Sequence, residues 1–252
     1  MSIHTAIRDG VMSIEIARPE KKNAITAAMY AAMADALRAA AADSAVRAVV
    51  IAGQPGVFTA GNDLGDFLEH PPQAPDAPVS QFMHTLVDLD KPVIAAVTGR
   101  AVGIGVTLLL HCDVVYMAEG AELSMPFVAL GLVPEFASSL LLPQLMGHAR
   151  AAEHLLLGEP LDAAGALACG LANAVLPAAR VLDQAMRSAI RLSALPPGAV
   201  QESKRLLRGA QRAAIHRAIE SESAVFAARL RSAEAQEALR AFHARGRTFF
   251  GS

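Results

Sequence analysis

The sequence has no tryptophan, and aromatic residues make up only 4% of it, so alanine, leucine and valine must build the core. It has two cysteines, Cys112 and Cys169, in no CxxC pair, which rules out a disulfide framework and suits a reducing cytoplasm. It has no excess of positive charge: 22 basic residues face 24 acidic ones, for a net charge of -2, so nucleic acid is a poor first partner. The start, MSIHTAIRDG, lacks a basic segment followed by an apolar run, so no signal peptide is expected. No apolar stretch is long enough to span a bilayer, and no internal repeat of fixed period is seen. The expectation is a cytoplasmic protein that partners neither nucleic acid nor membrane.

What the chain does have is apolar mass. Hydrophobic residues are 53% of 252, enough to bury a large α/β core. Residues 3–8 and 11–17 alternate around Asp9-Gly10, which predicts a hairpin. Thr26 is placed to cap a helix running to about Ala42. Strands are expected at 46–52, in PVIAAVTG, in DVVYMA and in NAVLP, with a short extended piece at AELSM. Helices are expected at 63–69, 79–89 and 103–113. From Phe136 onward the pattern is mostly helical, and the last sixty residues read as helices outside the sheet. The four prolines of 70–78 predict a loop.

Two glycine-bearing turns each follow a strand and open a helix. The first is Phe58-Thr59-Ala60-Gly61-Asn62-Asp63-Leu64. Free amides at a helix start favour negative charge, but a plain turn capped by Asn62 or Asp63 explains the residues as well. The second runs from Gly99 through Gly103-Ile104-Gly105 to Thr107. It is neither a phosphate loop ending in Gly-Lys-Ser/Thr nor a dinucleotide fingerprint. Two such turns about forty residues apart can each supply one amide to a single oxyanion.

Other polar residues say less. His111-Cys112-Asp113 are adjacent on a helix end, point in different directions and have no second cluster, so no metal is expected. No GxSxG elbow accompanies Ser138 and Ser139. Asp63 reads as a cap and Asp66 as solvent-exposed. Glu135 stands in an apolar run, LVPEF, where burial would raise its proton affinity. The plain alternative is a glutamate in the first turn of a helix that Pro134 opens.

FTAGNDL, PVIAAVTGRAVGIGVTLLLHCDVVYMAE, MPFVALGLVPEFASSLLLPQLMG and LLGEPLDAAGALACGLANAVLP resemble, in order and spacing, the four signature segments of the crotonase (enoyl-CoA hydratase/isomerase) superfamily. The resemblance covers roughly residues 3–205. It implies a ββα spiral core over 1–195 and a C-terminal helical trimerisation region over 196–252, in a homotrimer or a dimer of trimers. It assigns the oxyanion hole to the backbone amides of Asn62 and Ile104. It places Lys22, Asn23, Ala24, Ala60, Gly61, Asp63, Leu64, Gly103, Thr107 and Phe127 along an acyl-CoA substrate, with Lys21 beside Lys22 near the adenosine part. Arg245 and Arg247 would reach a neighbouring subunit's ligand, and the flap at 70–78 would border the acyl tunnel. Coenzyme A belongs to the substrate, so no separate cofactor is implied.

Hydratases of this superfamily hold water between two glutamates. Thr107 and Phe127 stand at those two positions here, and neither can act as a base. The combination AGNDL, AVGIGVTLL and PFxxLGxxPExxSS is most similar to the peroxisomal type of 3-enoyl to 2-enoyl-CoA isomerase, where the glutamate of the Pro-Glu pair is the base. The resemblance therefore implies a single-glutamate isomerase using Glu135. A hydratase or other lyase of the superfamily, and a non-catalytic acyl-CoA-binding protein, are the alternatives.

Overall fold

A computed structural model describes residues 2–69 and 76–244. The 70–78 stretch falls largely, and Arg245 and Arg247 wholly, outside the described residues. Among the described residues ten strands form two sheets. The larger has six, in the order β1 (Ile3–Arg8), β2 (Val11–Ile16), β3 (Ala48–Ala52), β5 (Val93–Val97), β7 (Val114–Ala118), β10 (Ala174–Leu176). The smaller has four, in the order β4 (Gly56–Thr59), β6 (Gly99–Val102), β8 (Glu122–Ser124), β9 (Leu161–Asp162). β1 and β2 form the expected hairpin, with Asp9 and Gly10 both left-handed at φ 53° and 75°. From β2 to β10 every pairing in the large sheet is parallel. β3 and β5 are buried along their whole length, which is why AVVIA and VIAAV are unbroken apolar runs.

The chain advances by a repeated step. It lays one strand in the large sheet, the next in the small sheet, and then turns into a helix or loop. β3 and β4 lead to α2 (Leu64–Glu69) and α3 (Pro78–Asp88); β5 and β6 lead to α4 (Ile104–Thr107), continued as a 3-10 turn over Leu108–His111. β7 and β8 lead to a 3-10 turn over Val128–Leu130 and then α5 (Ser138–Met146). This is the ββα spiral that the resemblance implies. The same step puts the C-terminal ends of β4 and β6, and so both glycine turns, next to one another, because Thr59 pairs with Ala101 in a parallel ladder.

The helices cover the outside. Thr26 caps α1 (Ala27–Ala42) by accepting the Met29 amide at 3.3 Å, and α1 packs on α3. α6 (His148–Ala152) and α7 (Ala163–Ala168) follow α5, and α8 (Ala178–Ser193) lies on β3, β5 and β7. α9 (Pro197–Leu230) and α10 (Ala233–Ala244) belong to neither sheet, as expected. Yet α9 is tied firmly to the core. Lys204 donates to the Lys91 carbonyl at 2.8 Å and pairs with Asp113 at 2.7 Å, and Ile215, Ile219 and Phe226 are buried. Among the described residues no helix is long and apolar enough to cross a membrane.

Candidate functional site

The first turn begins where β4 ends. Its backbone is zipped to the 22–25 loop: the Ala60 amide donates to the Lys22 carbonyl at 3.0 Å, and the Ile25 amide to the Gly61 carbonyl at 2.8 Å. Asp63 returns its amide to the Ile25 carbonyl at 2.9 Å. This bridge uses the carbonyl before Asn62 and the amide after it, so the amide of Asn62 itself faces the other side of the chain. Lys22, Asn23 and Ala24 are thereby brought against the first turn. Asn23 is fully buried, and its side chain accepts from the Arg18 amide at 2.7 Å and donates to the Phe58 carbonyl at 3.1 Å. Its amide group is thus spent on holding the loop. The left-handed φ of 58° suits asparagine.

Asp63 caps α2, accepting the amides of Gly65 at 3.0 Å and Asp66 at 3.2 Å. Burial alone would raise its carboxyl, but Arg18 at 2.6 Å and those two amides outweigh burial and hold it below the usual range. Asp66 is not simply solvent-exposed as the sequence suggested. It is half-buried and accepts the Ala27 amide at 2.7 Å, which adds a carboxylate at the start of α1.

The second turn is pinned from the next spiral step, where the Gly103 amide donates to the Ser124 carbonyl at 2.8 Å. Gly103 has φ 54° and precedes the first helical residue, Ile104. The Val106 and Thr107 amides are taken by the Gly103 carbonyl, while that of Ile104 opens the helix. Both Ile104 and Thr107 have buried side chains; the Thr107 hydroxyl turns back to the Ile104 carbonyl at 3.5 Å.

The two turns line one cavity of about 40 Å³, with Ala60, Gly61, Asn62 and Leu64 from the first and Val102 and Gly103 from the second. Phe127, Leu132, Glu135 and Phe226 are also in the wall. Glu135 is the one titratable side chain among the described residues lining it. It does not sit in the first turn of a helix: α5 starts at Ser138, and Glu135 lies three residues earlier. Its side chain is buried, with one oxygen that has no hydrogen-bond partner among the described residues. Burial first, and the charge of Glu222 second, push its carboxyl up to about 8.

Glu135 also faces a second cavity of about 350 Å³ between α3 and α9, lined by Met83, His84, Ile219 and Ala227 among others. Phe67 and Phe226 border both spaces and meet edge to face at 5.8 Å. The remaining candidates have structural partners. The His111 ring donates to the Phe136 carbonyl at 2.8 Å, and Asp113 accepts the Val93 amide at 2.8 Å. Burial lifts the Cys112 thiol to about 12.

Four residues of this site gave no chemical signal in the sequence: Tyr30, Phe67, Glu222 and Phe226. Tyr30 donates to the Asn62 side-chain oxygen at 2.5 Å from inside α1. Its hydroxyl is held well above its usual range by burial and then by Glu135. The signal that existed was spacing. Ile215, Ile219, Glu222, Phe226 and Leu230 recur every three to four residues along α9, so Glu222 falls on the buried stripe.

Residues 6–252 match the family model described as enoyl-CoA hydratase/isomerase. The chain is 36% identical over 239 residues to enoyl-CoA delta isomerase 2 of Rattus norvegicus, covering 92% of this chain and 61% of that one. It therefore spans about three-fifths of that relative's length. It is 31% identical to 2,3-dehydroadipyl-CoA hydratase of Escherichia coli K12, covering 92% and 91%. The solved structure of Pseudomonas aeruginosa OdaA superposes with a TM-score of 0.94 at 52% identity, covering 96% and 98%. On the family match, the spiral fold and these relatives together, the chain belongs to the enoyl-CoA hydratase/isomerase, or crotonase, family.

Proposed function

We propose that the protein acts on acyl-CoA thioesters and moves a carbon-carbon double bond, converting 3-enoyl-CoA to 2-trans-enoyl-CoA. The observation that carries this reading is that a single raised carboxyl shares a cavity with both glycine turns. A 3-enoyl thioester has acidic protons on C2, between carbonyl and alkene. In its ionised form Glu135 takes one. Charge then moves to the thioester oxygen, which the amides of Asn62 and Ile104 stabilise. Returning the proton to C4 gives the conjugated product. One carboxyl serves both transfers because no water is activated.

Hydration is disfavoured by the side chains present. Phe127 lines the cavity without an ionisable group, and Thr107 is buried against its own helix. The 22–25 loop, with Lys22 and Asn23, is read as the rest for the coenzyme A end, which arrives as part of the substrate. Leu206 and Leu207, 84% and 81% exposed on α9, support assembly with further copies, read as a trimer or a pair of trimers.

The test is direct. 3-hexenoyl-CoA should gain conjugated absorbance, while crotonyl-CoA should keep its own. Glu135→Gln should lower turnover by roughly 10²- to 10⁴-fold while still binding the thioester. Loss of crotonyl-CoA conjugation at a comparable rate would replace this reading with hydration, and full activity in the variant would remove Glu135 from the mechanism.

A further inference from the structure

Glu222 is a carboxylate in an apolar stripe, only 8% exposed, and no lysine or arginine among the described residues forms an ion pair with it. Such a group is costly to bury unless donors surround it. Three do, all from the segment that follows Glu135. One oxygen accepts the Ala137 amide at 2.6 Å. The other accepts the Ser139 amide at 2.9 Å and the Ser139 hydroxyl.

The segment it grips is strained. Phe136 and Ala137 are consecutive non-glycine residues with φ of 60° and 56°. Each such residue is strained relative to right-handed backbone. The pair persists because it is held from two sides. His111 bonds the Phe136 carbonyl and stacks on its ring at 4.0 Å, and Glu222 takes the Ala137 amide. Strain kept in place next to a reactive group points to a role for the groups that keep it.

We propose that Glu222 is a positioning residue for Glu135: it locks the left-handed Phe136–Ala137 turn that presents Glu135 to the cavity. As a carboxylate it also adds to the proton affinity of Glu135, second to burial. The proposal rests on the reading of Glu135 as the base. Other groups around Glu135 do not substitute for it. Tyr30, from α1, is neutral, its hydroxyl held well above its usual range. Burial drives His111 down to about 3, so it carries no charge to offset Glu222. His84, from α3, and Glu220, from α9, line the larger cavity; His84 is lowered by burial and then by His216.

Glu222→Gln removes the charge and one acceptor but keeps the volume; Glu222→Asp keeps the charge and withdraws it. The Glu135 carboxyl is followed by isotope-edited infrared titration of ¹³C-glutamate protein, with Glu135→Gln assigning the band. The midpoint should fall in Glu222→Gln and fall by less in Glu222→Asp. The acid limb of the kcat profile should move down with it. At the plateau kcat should drop about 10- to 100-fold with KM little changed, as misplacement of a base requires. A Glu135 midpoint equal to that of the unaltered protein in Glu222→Gln overturns the proposal. If that variant does not fold, unchanged midpoint and kcat in Glu222→Asp overturn it instead. The titration reads Glu135 whether or not the enzyme isomerises, so failure of the reading of Glu135 as the base is seen separately, as activity surviving Glu135→Gln.

Discussion

Gly61 and Val102 meet backbone to backbone: a Cβ placed on Gly61 would stand 2.7 Å from the Val102 carbonyl oxygen. No side chain fits between the two turns, and both line one small cavity. Gly61 also has φ 83°, a conformation other residues adopt only with strain.

Gly61→Ala should therefore push the turns apart. The expected result is a drop in kcat of about 10²- to 10³-fold, the usual effect of losing one oxyanion donor. Stability should fall by about 1–3 kcal/mol. Single-turnover rates and urea melts measure the two separately. A variant that keeps full kcat would show that the spacing of the turns is not what holds the thioester oxygen.

The scaffold could be read from the sequence because its signals are local. Asp9-Gly10, the Thr26 cap and the runs of β3 and β5 each announce an element from within a few residues. Glu135 could be singled out because an acid in LVPEF is anomalous. β9 was missed, having only two residues, Leu161 and Asp162, and no pattern. Tyr30, Phe67 and Phe226 reach the site through tertiary packing, and a buried aromatic there looks like any core residue. Glu222 looked like one more charge on a helix rich in charges, since its partners, Ala137 and Ser139, are more than eighty positions away.

The proton affinity of Glu135 has a consequence for stability that needs no substrate. Its folded value, about 8, lies above the ordinary carboxyl value of 4.5. Between those limits the folded state holds a proton that the unfolded state has released. Stability thus falls as pH rises through that window. Glu135→Gln removes the effect. The variant should match the unaltered protein near pH 4 and exceed it at pH 9, by a gain on the order of 5 kcal/mol. Denaturant melts across that range test it, and a gain independent of pH would mean that Glu135 is not the group responsible.

Asn23→Ala should act through the loop rather than the chemistry. The side chain joins the Arg18 amide to the Phe58 carbonyl, while the backbone carbonyl of Asn23, which the substitution keeps, accepts the Thr59 hydroxyl at 2.6 Å. Deleting the side chain leaves buried groups unpaired, at a cost of about 1–3 kcal/mol. With the loop loosened beside the first turn, KM for the acyl-CoA should rise several-fold more than kcat falls. A fall confined to kcat would argue that the loop does not meet the coenzyme A portion.

Phe226 tests where the acyl chain runs. Together with Phe67 and Glu135 it separates the small cavity of the glycine turns from the larger one between α3 and α9. If the thioester carbonyl sits between the turns and Glu135 works beside C2 and C4, the rest of the chain must pass this partition. Truncation to alanine would confuse the result, since emptying a buried phenylalanine costs about 3–5 kcal/mol. Phe226→Leu keeps an apolar side chain and removes only the ring that meets Phe67. A wider passage favours longer chains, and each methylene newly buried in an apolar pocket is worth about 1 kcal/mol or more. Losing the ring makes room for about one further methylene, so the ratio of kcat/KM for a ten-carbon over a six-carbon 3-enoyl-CoA should rise by about tenfold. Glu135 keeps its place in the variant, so the six-carbon substrate should retain most of its kcat. An unchanged ratio would mean that the acyl chain leaves the catalytic cavity by another route, and that the space between α3 and α9 is not its tunnel.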